Sequence, residues 1–267
     1  MKITKKTRKS HVWNEDRFVV GKNFLMVIDG ATPLIKEGTF NSACWLVNFL
    51  KKNLTNFNGN VLEKLEELSK IGLEEIPLKE KSSDYLPSAS MSFIEFDENK
   101  ALVYLLGDCE VVLRYKDGQV VRYYNDSLNH LDTISLNEMK QHALEKKLPI
   151  AKCRPYIVDT LIKHRRLINK EGGYHAYTLG LNKVEADVFE FDLDNVLEIY
   201  LYSDGFSQSF QHLNIYNSVE ELFNHSIDLD EEIEKIVLRA FGDKDCNKYP
   251  RFKVIDDITI IKAELEK

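Results

Sequence analysis

Much of what this chain could have been is excluded by what it does not contain. Its four cysteines, Cys44, Cys109, Cys153 and Cys246, are widely spaced and form no Cys-x-x-Cys pair. A zinc ribbon or a small disulfide framework is therefore not expected. Cys109, beside Asp108, reads as a buried free thiol. No apolar run approaches the roughly 20 residues needed to cross a bilayer. The basic start, Met1 to Ser10, has no apolar stretch behind it to make a secretory leader. Positive charge is in deficit: the formal net charge of −7 argues against general nucleic-acid binding, which rests on neutralising phosphates. There is no internal repeat, no low-complexity segment and no Gly-x-Ser-x-Gly nucleophile motif. The expectation is a cytoplasmic protein in a reducing compartment, with neither membrane nor nucleic acid as partner.

What is present is an ordinary globular composition, 43% hydrophobic and 30% charged over 267 residues, enough to bury a substantial core. Strand patterns fill residues 17–28. Ala43, Leu46, Val47 and Leu50 recur at helical spacing within 40–53, and Val61, Leu62, Leu65, Leu68 and Ile71 do so within 60–72. Residues 77–85 read as a loop. An antiparallel meander is expected over 88–96, 100–106, 110–116 and 119–124. Ser135-Leu136-Asn137-Glu138 forms a capping box that predicts a helix from there to about 147. Another helix is expected from Cys153 to Asn169, broken by Gly172-Gly173. Strands return at 174–180, 186–191 and 197–203. Helices follow from Ser218 and over Asp230–Phe241, and a strand over 258–263 ends the pattern. Strands in blocks, with helices between the blocks, predict an α+β fold rather than βαβ alternation.

The strand ends carry the chemistry. Phe24-Leu25-Met26-Val27-Ile28 runs into Asp29-Gly30. Leu102 to Leu106 runs into Gly107-Asp108, Leu197 to Ser203 into Asp204-Gly205, and Arg251 to Ile255 into Asp256-Asp257. Glu15-Asp16 stands just before Phe18-Val19-Val20. Asp-Gly after a strand is also a strong hairpin-turn signal, and Asp117-Gly118, between two balanced strand patterns, reads as a turn and nothing more. For any single site the turn reading leads. Taken together, carboxylates at the ends of several buried strands can converge, and a cluster of bare carboxylates needs cations. Oxygen-only ligand sets favour hard ions such as Mg²⁺ and Mn²⁺. The pattern reads as a metal-dependent hydrolase.

The order of these motifs adds a resemblance. Asn14-Glu15-Asp16-Arg17-Phe18 comes first, then Asp29-Gly30, Pro87-Ser88-Ala89-Ser90, Gly107-Asp108, Ser203-Asp204-Gly205-Phe206 and Asp256-Asp257-Ile258-Thr259. This resembles the metal-dependent protein phosphatases (protein phosphatase 2C-like, PPM type), most of all the short bacterial members, over nearly the whole chain. The resemblance implies one domain over 1–267, an α-β-β-α four-layer sandwich of two antiparallel sheets flanked by helices, with a dinuclear Mn²⁺ or Mg²⁺ site at one end and a helical flap at about 126–171. By position, Asp16 and Asp29 match residues that hold or bridge the metals, and Gly30 offers a backbone carbonyl. Asp204 and Asp256 complete the second metal's ligands, and Glu15 matches a contact to metal-bound water. Asp257 stands where the family often has Asn, just outside the ligand set, and Asp108 would hold a weak third ion. The implied activity is a serine/threonine protein phosphatase, a monomer acting on phosphorylated proteins, in which a metal-bridging water attacks the phosphate monoester. No cysteine or serine nucleophile is then required.

The sequence departs from the family at four places. His11 stands where an Arg usually holds the substrate phosphate, and lacks that residue's bidentate fork; Arg8, Lys9 and Arg17 are nearby substitutes. Ala31-Thr32-Pro33 replaces a glycine-rich tail. Gln208 takes the place of an Asp of the additional metal site, and Glu110 that of an Arg. The basic run Lys163-His164-Arg165-Arg166 reads as a solvated helix end favoured by the helix dipole, ahead of a surface for an acidic partner. Two other functions compete with the phosphatase: a catalytically weak regulatory or phosphoprotein-binding module, and a phosphoesterase for small molecules.

Overall fold

The structure, a computed structural model, describes residues 1–10, 12–31, 33–34, 42–76 and 84–265. Its strands are β1 (Lys2–Arg8), β2 (Asp16–Val20), β3 (Phe24–Ala31), β4 (Ser88–Asp97), β5 (Lys100–Leu106), β6 (Glu110–Tyr115), β7 (Val120–Tyr123), β8 (Tyr177–Thr178), β9 (Asp187–Asp192), β10 (Val196–Tyr202) and β11 (Ile258–Glu264). Its helices are α1 (Ser42–Leu54), α2 (Val61–Glu75), α3 (Asn129–Lys146), α4 (Val158–Arg165), α5 (Asp204–Gln211), α6 (Val219–Phe223) and α7 (Leu229–Phe241). Among the described residues these strands make two antiparallel sheets. One runs β1-β11-β10-β6-β7; the other runs β2-β3-β4-β5-β9, with β8 also paired to β4.

Period-2 alternation sorts each strand's side chains between two cores. On β3, Leu25 and Val27, with Val103 and Leu105 of β5, face the other sheet, where they meet Val111, Leu113, Ile199, Leu201 and Ile261. The alternate residues Phe24, Met26 and Ile28 pack under α1 and α2, against Leu46, Val47, Leu50, Leu65 and Leu68. The second sheet behaves in the same way. Tyr200, Tyr202, Ile258 and Ile260 turn outward to Phe206, Leu222, Phe223, Ile233 and Ile236 of α5, α6 and α7. Helix, sheet, sheet and helix thus form four layers around three apolar seams, the expected α-β-β-α sandwich. Residues of α3 and the stretch after it make a small core of their own, with Met139, Ile150, Cys153 and Ile157 against Cys246 and the partly buried Phe252 and Val254.

Several expected elements differ. The strand pattern over 17–28 is two strands, because the chain reverses between β2 and β3 with Gly21 donating to the Phe24 carbonyl. The expected meander over 88–124 is split. β4 pairs with β5 and β6 with β7, but β5 and β6 belong to different sheets. Gly107, with φ of +76°, makes that crossing where a Cβ would lie 2.1 Å from Ser90 Oγ. The capping-box reading at Ser135 is wrong: α3 starts at Asn129, and Ser135 is buried inside it, bonded to His164 Nδ1 at 3.0 Å. The helix expected over 153–169 is a 3₁₀ turn, Arg154–Ile157, followed by α4, which ends at Arg165. The strand expected over 174–180 shortens to β8. Arg251 to Ile255 is not a strand at all but a loop. The buried Arg251 guanidinium holds it by donating to the carbonyls of Ala240, Asp243, Tyr249 and Val254 and to Asp243 Oδ2. Two elements were not expected, β1 and α5. Residues 77–83 of the expected loop, the first two residues of the helix expected over 40–53, and His11 lie outside the described residues.

Candidate metal centre

One end of the sandwich collects the acidic strand ends. Strand register puts Asp16 directly opposite Asp29, and Asp29 opposite Ser90. Asp204 is the first residue of α5, immediately after β10. Asp256 lies two residues before β11. Strands from both sheets therefore deliver carboxylates to the same place. The sheets are joined there through Ser203. Its hydroxyl donates to Asp16 Oδ2 at 2.6 Å and accepts from the Thr259 amide at 3.0 Å, while its own amide donates to the Thr259 carbonyl. Gly205 lets α5 start hard against the segment leading into β11: a Cβ there would sit 1.9 Å from the Asp257 carbonyl oxygen. Gly30 is equally confined, with the Glu15 carbonyl 2.8 Å from a would-be Cβ, and its amide donates to that same carbonyl.

The carboxylates raise one another's pKa. Burial, together with Asp256 and Asp257, pushes Asp16 from 3.8 up to about 7, against the bond from Ser203. Burial, then Asp16, Asp204, Asp108 and Asp256, drives Asp29 well above the usual range. Asp204 is driven up by burial, Asp256 and Asp108, and Asp108 chiefly by burial. Groups arranged this way cannot all ionise without a cation. The donor set suits one. Asp204 Oδ1 is buried with no hydrogen-bond partner, and donor atoms of Asp29, Asp108 and Cys109 lie within 4.8 Å of one another. Cys109 is fully buried, and burial beside these carboxylates holds its thiol far above the usual range. That leaves oxygen as the working donor, which suits hard divalent ions.

Asp29, Gly30, Glu15, Asp108, Asp204 and Asp256 line one cavity of about 620 Å³. Asp16 lies buried beneath it. Asp257 points away from it: its carboxylate accepts from the Ser10 amide and hydroxyl and from the Glu15 amide, at 2.6–2.8 Å. Asp108, Asp204 and Asp256 also border a second cavity of about 390 Å³ on the far side. Asp132 of α3 faces that second cavity, raised to about 7 by burial and Asp108. So does Gln208, 7% exposed, whose Oε1 has no partner.

Three basic residues at the site escaped the sequence reading of its chemistry. Arg165 and Arg154 wall the larger cavity. The solvated-helix-end reading fails for Arg165, whose Nη1 donates to the Ala31 carbonyl and Ser88 Oγ. Burial lowers its pKa, opposed by Tyr174 and reinforced by Arg154. No carboxylate among the described residues forms an ion pair with it. Arg17, by contrast, is committed elsewhere, to Asn48 Oδ1 and the carbonyls of Asn14 and Asp16. Lys253, from the loop misread as a strand, places its ammonium 2.8 and 2.7 Å from the two Asp256 carboxylate oxygens. Burial opposes its charge, but Asp256, Asp204 and Asp29 outweigh that and raise its pKa. Nothing local to Arg154, Arg165 or Lys253 in the sequence signals that these side chains would turn inward.

No protein-family model and no curated protein matches this sequence. Solved structures do match, over the whole chain. The serine/threonine phosphatase Stp1 from Staphylococcus aureus aligns with a TM-score of 0.57 at 13% identity, covering 100% of this chain and 95% of that one. The Mycobacterium tuberculosis serine/threonine phosphatase PstP/Ppp gives 0.56 at 14%, covering 100% and 99%. The catalytic domain of PstP in complex with two manganese ions gives 0.57 at 15%, covering 100% and 98%. At these identities the likeness is one of fold: the chain is built as the bacterial PPM-type serine/threonine phosphatases are. Among the described residues no helix is long and apolar enough to cross a membrane.

Proposed function

We propose that this chain, folded as a PPM-type phosphatase, is a metal-dependent serine/threonine protein phosphatase. The observation that carries the reading is the convergence of Asp16, Asp29, Asp204 and Asp256 from both sheets, with a buried Asp204 oxygen left unpartnered. In this reading Asp16, Asp29, the Gly30 carbonyl, Asp204 and Asp256 would hold two Mn²⁺ or Mg²⁺ ions, with Asp204 and Asp256 completing the second. Asp108, with Gln208 beside it, makes a weaker third position. Bound divalent ions would supply an acidified water as nucleophile and neutralise the phosphoryl oxygens.

The chain's own residues do the rest. Arg165, fixed by Ala31 and Ser88 through one nitrogen, keeps its remaining N–H groups for the substrate phosphate, a task that suits the guanidinium fork. Arg154 adds positive charge beside it. Both come from residues 126–171, which act as a flap over the cavity within a single domain. Asp257 accepts from Ser10 and from the Glu15 amide, which anchors the residue before Asp16 as its carboxylate enters the cluster. The substrates are phosphoproteins, and the protein works in the cytoplasm as a monomer.

The test is hydrolysis of a phosphoserine or phosphothreonine peptide by metal-stripped protein before and after Mn²⁺ is restored, with a small phosphate ester as comparison. Activity should appear only with metal and favour the peptide. Arg165→Ala should raise KM for the peptide roughly tenfold or more, the worth of a charge-assisted bond to phosphate. Full turnover in excess chelator would refute the metal mechanism. Preference for the small ester would refute the protein substrate.

A further inference from the structure

The position expected for the second divalent ion already contains a positive charge. Lys253 Nζ contacts both oxygens of Asp256, and its field reaches Asp204 and Asp29. A metal that takes Asp256 as ligand must compete with that ammonium, which already sits against both oxygens of the carboxylate. The lysine did not come to rest there by loop mobility. Arg251, 2% exposed, donates hydrogen bonds to the Val254, Tyr249, Ala240 and Asp243 carbonyls and to Asp243 Oδ2, clamping the loop two residues away. The tether is therefore short and its anchor rigid. Lys253 also borders both cavities, the 620 Å³ one that holds Asp29 and the 390 Å³ one behind it. Asp108 and Asp132 wall the rear cavity beside Arg122 and Arg251, so a displaced ammonium has other carboxylates within that cavity to turn toward.

We infer that Lys253 is a tethered counter-cation: its ammonium holds the Asp204–Asp256 position until a divalent ion displaces it. This rests on the metal-centre reading above. Filling the second position is then an exchange of one cation for another, and the second ion binds more weakly than the first. At the first position, built on Asp16, Asp29 and the Gly30 carbonyl, Lys253 acts only through its field at Asp29 and not by direct contact. The lysine also keeps the metal-free cluster from carrying unrelieved negative charge, so a chain short of metal stays folded with its second position occupied.

The experiment titrates metal-stripped protein with Mn²⁺ and follows free Mn²⁺ by its electron paramagnetic resonance signal, which counts bound ions without reference to activity. Wild type should bind two ions with distinct affinities. Lys253→Met, which keeps the length and removes the charge, should tighten the weaker step by about tenfold or more, as expected for releasing a bond to a charged partner. It should move the tighter step less than the weaker one and lower the melting temperature of the metal-free protein. If the Met variant fails to fold without metal, Lys253→Gln, which keeps a donor for Asp256, carries the same expectation. A weaker step that is unchanged or loosened in the uncharged variants overturns the exchange while leaving the metal centre standing. Absence of Mn²⁺ binding in wild type overturns both.

Discussion

Stripped of metal, this protein should lose stability as pH rises, and Asp16 shows how much. Its carboxyl is held at about 7 in the folded state against 3.8 when free, first by burial and then by Asp256 and Asp257. Below about pH 4 it is protonated in both states, and its full contribution is present. As pH rises the unfolded chain releases the proton first, so the folded state loses ground until about pH 7, above which the difference is constant. Each pH unit in that window is worth about 1.4 kcal/mol, so the loss from pH 5 to 7 is roughly 3 kcal/mol. For a chain of this size that lowers Tm by roughly 6–12 °C. Asp29 and Asp204, driven up first by burial, also feel the charge of Asp16, and carboxyls that interact this way lose their protons as a set.

Other groups can be separated from this effect. Glu198, held down at about 2 by Arg114, Ser226, Tyr200 and Lys262 against its own burial, is ionised throughout the window and contributes no slope. His164 and His212, whose pKa values burial lowers, pull the other way, since a histidine that resists protonation when folded gains stability as pH rises. Both remain in Asp16→Asn. The assay is therefore the melting temperature of metal-free wild type minus that of Asp16→Asn, measured from pH 5 to 8. The difference should fall with pH. Saturating Mn²⁺ should reverse the slope for wild type, because metal binds the deprotonated ligands. A difference that stays flat from pH 5 to 8 without metal would refute the argument that these carboxylates are crowded.

Asp204→Asn removes a ligand charge and keeps the side-chain shape; turnover should fall roughly a hundredfold or more, with loss of one bound Mn²⁺, and near-normal turnover would reduce Asp204 to the start of a helix. Gly205→Ala drives a Cβ against the Asp257 carbonyl, where backbone faces backbone and cannot yield. It should destabilise by about 2–4 kcal/mol in urea denaturation, and a neutral result would show that α5 can shift away from the segment before β11.

The sequence could be read where local pattern and long-range result agree. Asp29-Gly30 and Asp204-Gly205 follow strands as patterned, and Asp117-Gly118 is a turn between β6 and β7. It failed where a tertiary partner decided the outcome. Lys2–Arg8 has four basic residues and only one large apolar one, yet it is a strand because β11 offers an edge. Arg251 to Ile255 alternates like a strand, but its arginine is satisfied by carbonyls of the preceding helix and loop. Ser135 has the chemistry of a cap and serves inside a helix, because His164 faces it. The acidic half of the candidate site was visible because Asp-Gly pairs punctuate strands. The basic half was not, since nothing local distinguishes Lys253 or Arg165 from solvated residues.

The pairing of β1 with β11, from Lys2 opposite Glu264 to Arg8 opposite Ile258, bears on when this protein becomes competent. β11 is the strand that β1 hydrogen-bonds to, and it is preceded at once by Asp256 and by Asp257, which accepts from the amides of Ser10 and Glu15. At about 5–20 residues per second on the ribosome, the early segment carrying Asp16 waits roughly 13–50 seconds for its counterpart to be made. Throughout that interval the nascent chain has an unpaired basic strand and an incomplete acidic cluster. Synthesis itself thus delays assembly of the acidic cluster until the last strand of the sandwich has been made. A ribosome stalled before residue 256 would hold a chain without Asp256 and without β11, the strand that stands between β1 and β10.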